Sequence, residues 1–252
     1  MRIPALLLIA VLASPSAAKR PAIPPAIARA IADPERPAED VARDANRKPG
    51  ETLAFLGVKP GMKVADYLAN SGYFTRLFSD VVGPKGHVYA VELNEVIGFP
   101  NVTRSYEALK AWAPSRSNIT VTTTPIADSL NFPEKLDLFW ISQNYHDLHD
   151  KFLGPADVPA FNRKVFAALK PGGSYVVLDH SALETAPDDV TETLHRIQRA
   201  RVIREVTAAG FVLAGESQLL ANPADPRTKG VFDASIRGRT DQFILKFRKP
   251  GR

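Results

Sequence analysis

From residue 63 onward the chain alternates between two apolar patterns. Short alternating or continuous apolar runs are followed by longer stretches in which apolar residues recur every three or four positions. The runs at 63–68, 87–92, 119–123, 136–142 and 174–179 read as strands. The fourth is apolar nearly throughout, as a strand covered on both faces should be. Helical periodicity marks 73–82, 102–112 and 157–169, and Gly83-Pro84 stops the first of these. Lys170-Pro-Gly-Gly173 reads as a sharp turn into the fifth strand. One long helix is expected over 188–209, then two closing strands over 211–219 and 242–248, with a polar loop over 221–241. Upstream, 39–46 and 51–56 read as helices, with Pro49 suited to a first helical position. Residues 19–37 are rich in proline and alanine and read as an extended lead-in with one short helical turn.

Strands alternating with helices at this spacing imply βαβ units and a parallel sheet. The last two strands have no long helix between them, which implies an antiparallel hairpin at one edge. The expectation is therefore an α/β domain over 38–252. It has a Rossmann-like, mostly parallel sheet, helices on both faces and an antiparallel C-terminal edge hairpin.

The first residues, MRIPALLLIAVLASPSAA, change where this domain is expected to work. Arg2, an apolar core over 3–13 and the small residues Ser16-Ala17-Ala18 match a secretory signal peptide over 1–18. Cleavage after Ala18 would leave a secreted or periplasmic protein with no stable membrane span. The apolar core is too short to cross a bilayer as a stable helix. The chain has no cysteine, which excludes disulfides, thiolate metal sites and cysteine nucleophiles. A formal charge of +5 over 252 residues is scattered rather than blocked, so no nucleic-acid partner is indicated.

Several segments carry a family resemblance. GVKPGMKVADYLANSGYFT, HVYAVE, LKPGGSYVVLDH and GFVLAGESQLL resemble motifs of the class I S-adenosylmethionine-dependent methyltransferases. QNYHDLHD, TLHRI and RGRTDQFILKF look like a bacterial group of predicted methyltransferases that often carry signal peptides. The resemblance implies seven strands, the last antiparallel to the rest, with S-adenosyl-L-methionine as cofactor and an unidentified small-molecule methyl acceptor.

In an open α/β sheet, ligands lie beyond the carboxyl ends of the strands, where the strand order reverses. The resemblance places Asp66 at the acid of the first-loop motif and Gly72 at its last glycine, with Ala69 and Asn70 where glycines are usual. Ser71 and Gly72 permit close backbone approach, and Asn70 tolerates left-handed angles. Glu92 ends the second strand, where an acid can accept hydrogen bonds from both ribose hydroxyls, and Leu93 is placed to pack on the adenine. Asp128 either takes the adenine amino group or caps a turn.

Gln143-Asn-Tyr-His-Asp-Leu-His149 follows the fourth strand directly. Gln143 is assigned to the cofactor. His146 is the general-base candidate, oriented by Asp147, and Asn144 and Tyr145 are placed to hold the acceptor or the methionine end of the cofactor. The same cluster also reads as helix capping around a structural histidine. His146 and His149, with Asp147 or Asp150, have a spacing that can hold zinc, but solvent-facing His-Asp clusters are common and no metal is expected. His180 and His195 are further candidates for the acceptor pocket. Arg237, Arg239 and Lys229 either close over an acidic acceptor or are solvated loop charges. The rival reading is a noncatalytic extracytoplasmic binding protein on a degenerate form of this fold. A hydrolase finds no support, because no Gly-x-Ser-x-Gly elbow is present.

Overall fold

The computed structural model describes residues 22–154 and 156–251, so the expected signal peptide over 1–18 lies outside the described residues. Seven strands form one sheet in the order β3-β2-β1-β4-β5-β7-β6. They are β1 (Lys63–Tyr67), β2 (His87–Leu93), β3 (Ile119–Thr124), β4 (Leu136–Ser142), β5 (Leu169–His180), β6 (Val212–Ser217) and β7 (Gln242–Arg248). The first five are parallel, and β7 runs antiparallel between β5 and β6. The strand order reverses between β1 and β4, which fixes the ligand end of the sheet.

Strand parity divides the core in two. Leu138 and Trp140 of β4 face one layer, which α1 (Pro25–Ile31), α3 (Pro49–Leu56) and α4 (Tyr73–Val82) cover. Phe139 and Ile141 face the other, which α7 (Val158–Ala168) and α9 (Arg199–Ala208) cover. Successive strand residues point to opposite faces, so a strand buried on both sides must be apolar at every step. On the outer side of β2, α5 (Asn94–Ile97) and α6 (Pro100–Trp112) complete the layer.

Three segments differ from the sequence expectation. The proline-rich lead-in contains a two-turn helix, α1, whose Ile27 and Ala30 are buried against the α4 layer, so the folded body begins before residue 38. The long helix expected over 188–209 is two helices, α8 (Val190–Leu194) and α9. Between them His195 takes a left-handed conformation, φ 53°. Ile197 then bridges to the end of β5: its amide donates to the His180 carbonyl and its carbonyl accepts from the Ala182 amide. The Arg196 side chain turns fully inward to Asp225. The burial of these two side chains, rather than helical propensity, breaks the helix. Lys170–Gly173 lies at an irregularity within β5 rather than at a turn before it.

α4 begins at Gly72, whose φ of 78° no ordinary side chain adopts without strain. A Cβ there would also come within 2.5 Å of Leu109 Cδ1 on α6. Gly72→Ala is expected to cost about 1–3 kcal/mol, from left-handed strain plus overpacking, measured as a shift in the urea midpoint.

Candidate functional site

The loop after β1 is built from left-handed residues. Leu68, Asn70 and Gly72 have φ of 56°, 51° and 78°. The Asn70 side-chain amide donates to the Leu68 carbonyl at 3.2 Å, a local bond that holds an asparagine where glycine is usual. The Asn70 backbone amide donates to Glu92 Oε2 at 3.0 Å, and the Leu93 amide to Glu92 Oε1 at 3.3 Å. Glu92 is thereby seated at the end of β2, only 2% exposed. Each oxygen accepts one bond and has a second lone pair free. Nearby, Glu95 accepts the Ile126 amide on Oε1 at 3.0 Å, while its buried Oε2 has no hydrogen-bond partner. Sequence reasoning missed Glu95; an acid in the first turn after Glu92 was the available signal.

Parity corrects two assignments in this region. Asp66 is buried against α4 and accepts the Thr75 hydroxyl at 2.6 Å, so it fastens the loop to its helix instead of presenting itself to a ligand. Leu93 is fully buried in the opposite layer, because one step from Glu92 reverses the face, and it cannot border an adenine on the Glu92 side. Asp128 sits exposed in a single 3-10 turn after β3.

After β4, Gln143 is left-handed (φ 62°) and ties two elements together. Its side-chain nitrogen donates to Gln242 Oε1 at 3.2 Å, and its Oε1 accepts from Arg47 of α2 (Ala38–Arg47) at 3.4 Å. Asn144 donates to Asp147 Oδ2 at 2.8 Å. Tyr145 does not face an acceptor: it is fully buried, its hydroxyl donating to Glu205 at 3.0 Å and accepting from Asn162 at 2.9 Å. His146 is also buried, and both ring nitrogens already meet carboxylates: Nδ1 lies 2.8 Å from Asp179 and Nε2 3.1 Å from Asp147. Burial alone would lower its pKa, yet the two carboxylates hold it well above the usual histidine value. A base with no free nitrogen cannot take a proton from an acceptor, so the general-base assignment is withdrawn. Asp147, as expected, and Asp179, which the sequence did not offer, hold the ring between them. His149 turns away to Glu205 and Arg201.

A cavity of about 210 Å³ opens beside Gln143, at the carboxyl ends of β4 and β5. Arg43, Arg47 and Arg237 line it together with His180 and Phe232, and no acid is among its described lining residues. Burial pushes His180 down to about 4, so its ring is neutral near pH 7. Arg239 and Lys229 instead bond Ser235 within their own loop. A larger cavity of about 560 Å³, between Gly57, Lys170 and Arg248, lies at the opposite edge, where the parallel strands begin.

A scan against protein-family models finds no match. The ubiquinone/menaquinone biosynthesis C-methyltransferase UbiE of Saccharophagus degradans is 30% identical over 197 residues, covering 77% of this chain and 68% of that protein. The chain belongs to the class I S-adenosylmethionine-dependent methyltransferases. The protein of the same name from Vibrio cholerae is 28% identical over 196 residues, covering 77% of this chain and 65% of its own length. This methyltransferase chain thus spans about two thirds of the curated relatives it matches. A SAM-dependent methyltransferase from Aquifex aeolicus shares the fold with a TM-score of 0.57 at 16% identity, over 88% of this chain and 98% of that one. One from Mesorhizobium loti does so with a TM-score of 0.57 at 17% identity, over 82% and 99%.

The methyltransferase's own residues fit an adenosyl group chemically. Glu92 has spare acceptor capacity, and the orphaned Glu95 oxygen awaits a donor. Burial pushes the Glu92 carboxyl up to about 7, although the Asn70 and Leu93 amides pull it down. A folded pKa above the unfolded value means that ionisation opposes folding progressively from about 4.5 to about 7. A ribose donating two hydrogen bonds favours the ionised form. Binding of S-adenosylhomocysteine is therefore expected to tighten about tenfold from pH 6 to pH 8. Calorimetric titration across that range checks this, with Glu92→Gln expected to flatten the profile.

Proposed function

We propose that this chain transfers the methyl group of S-adenosylmethionine to a small acceptor that carries an anionic group beside an apolar portion. The observation that carries the reading is the pairing of Glu92 at the first crossing with an arginine-lined cavity at the neighbouring strand ends. Bound there, the sulfonium supplies an activated methyl group, which the acceptor's nucleophilic atom takes as the carbon–sulfur bond breaks. The chain's work is then mostly positioning. Loop 69–72, Glu92 and Glu95 hold the nucleoside. Arg43, Arg47 and Arg237 neutralise the acceptor's anion, and Phe232, 64% exposed, offers it an apolar face.

The test has two arms. Titration with S-adenosylhomocysteine should release heat and raise the melting temperature; no response at millimolar ligand would sink the reading. Labelled methyl groups from S-adenosylmethionine should then pass to the acidic fraction of a small-molecule extract. Arg237→Ala should lower that transfer about 10–100-fold, the loss of a charge-assisted contact, while S-adenosylhomocysteine affinity stays unchanged.

The reading extends to location. The signal-like residues 1–18 and the likeness of QNYHDLHD and RGRTDQFILKF to a bacterial group often carrying signal peptides support export, with cleavage after Ala18. Among the described residues no helix is long and apolar enough to cross a membrane. N-terminal sequencing of the protein from a periplasmic fraction should begin at Lys19; recovery only from cytosol with Met1 intact would refute export.

A further inference from the structure

The loop after β4 and the break between α8 and α9 bring together four side chains of metal-ligating type. Each of His146, Asp147, Asp150 and His195 offers one ligand atom, and all four atoms lie within 4.8 Å of one another. His146 Nε2 is 3.1 Å from Asp147 Oδ1, and His195 Nδ1 is 4.0 Å from Asp147 Oδ1 and 3.8 Å from Asp150 Oδ2. Ligands of a tetrahedral zinc ion, bonded at about 2.0–2.1 Å, stand about 3.3 Å apart. The observed spacings bracket that value. A modest contraction around an ion would meet it.

Two independent observations point to an occupant. Asp150 is 1% exposed, and neither of its carboxylate oxygens makes a well-formed hydrogen bond: the Thr191 hydroxyl is only loosely placed beside it and His195 Nδ1 stands 3.8 Å away. A buried carboxylate so weakly satisfied is costly, and a cation would compensate it. Asp179 accepts from one side of the His146 ring at 2.8 Å and is further fixed by the His146 amide at 2.8 Å, the outer-shell carboxylate that metal-bound histidines typically have. The left-handed turn at His195, φ 53°, set by the inward packing of Arg196 and Ile197, carries its Nδ1 to within 4.0 Å of both aspartates.

We propose that His146 Nε2, His195 Nδ1, Asp147 and Asp150 bind one divalent transition-metal ion of the zinc class. Two carboxylates and two neutral imidazoles balance a doubly charged ion, and four protein ligands make a closed, tetrahedral site. Asn144, bonded to Asp147, and Asp179, bonded to His146, orient the ligands from behind. The ion pins the segment after β4 to the α8–α9 break. It thereby sets one wall of the arginine-lined cavity, since the His195 ring packs on Phe232 at 5.1 Å and the His146 ring lies 6.1 Å from His180. The site excludes His149, the partner that sequence spacing offered to His146, because that ring bonds Glu205 and Arg201.

The test uses the whole chain and needs no cofactor, so its outcome is separate from that of the methyltransferase reading. Chelator-treated protein is titrated with Zn²⁺ alone, then with Co²⁺ followed by its visible absorption. The expected result is one equivalent of Zn²⁺ surviving dialysis, a melting temperature raised by Zn²⁺, and a Co²⁺ spectrum of tetrahedral intensity. His195→Gln and Asp150→Asn should each weaken Zn²⁺ binding at least 100-fold, and His149→Gln should leave it unchanged. Asp150→Asn keeps the size and shape of the side chain, so without metal it should melt no lower than the wild type, which guards against reading misfolding as lost binding. Less than a tenth of an equivalent of Zn²⁺ on folded wild type, or full stoichiometry in His195→Gln, overturns the site.

Discussion

Arg196→Ala is expected to lower stability by about 3–5 kcal/mol, the cost of leaving a buried charge without its partner. For a domain of this size that corresponds to a fall in melting temperature of roughly 6–20 °C. The Arg196 and Asp225 side chains are both fully buried and meet at 2.9 Å. Arg196 also donates to the carbonyls of Lys229 at 2.9 Å and Ser181 at 3.0 Å. Asp225 accepts the amides of Arg227 at 3.0 Å and Asp241 at 2.7 Å. One guanidinium therefore fastens the 221–241 loop to the end of β5. Burial alone would raise the Asp225 carboxyl, but the two amides and Arg196 hold it below the usual range. Because the loop carries Arg237 and Phe232, the variant should also lose the acceptor wall. A chemical denaturation series reads the first effect. A loss under 1 kcal/mol would show that the pair is not the clamp.

Glu92→Ala is expected to weaken S-adenosylhomocysteine binding about 10–100-fold, the removal of charge-assisted bonds to a ribose. The folded protein should survive the change. The variant leaves the Asn70 amide without its acceptor, a cost of about 1 kcal/mol, but it also removes a carboxyl that burial keeps reluctant to ionise. Lost affinity with a nearly unchanged melting temperature is thus the signature of a cofactor contact. Full affinity in Glu92→Ala would move the nucleoside elsewhere.

The sheet was legible because its strands are apolar runs bounded by glycine, proline or polar turns. The observed spans of β4 and α4 match those expected from the pattern. The break at His195 was not legible. Its causes are the pairing of Arg196 with a residue 29 positions on and a bridge from Ile197 to the end of β5, and neither leaves a local mark. Glu92 could be read from its place at a strand end. Leu93 and Asp66 could not be assigned without knowing which face each parity serves. Tyr145 looked like part of a polar ligand loop, but Asn162 and Glu205, both distant in sequence, draw its hydroxyl into the core. The second partner of His146 was hidden in the same way: Asp179 lies 33 residues away.

Helix α2 sits astride both ligand regions. Arg43 donates to the Ser71 hydroxyl of the first crossing at 3.4 Å, and Arg47 reaches Gln143, while both arginines line the neighbouring cavity. An anion drawing these two guanidiniums inward would shift the helix that rests on the nucleoside loop. A nucleoside in that loop would in turn settle the arginines for the anion. Thermodynamic reciprocity then requires each ligand to alter the other's affinity by the same factor, so a nucleoside and an anion bound at the proposed sites should not bind independently.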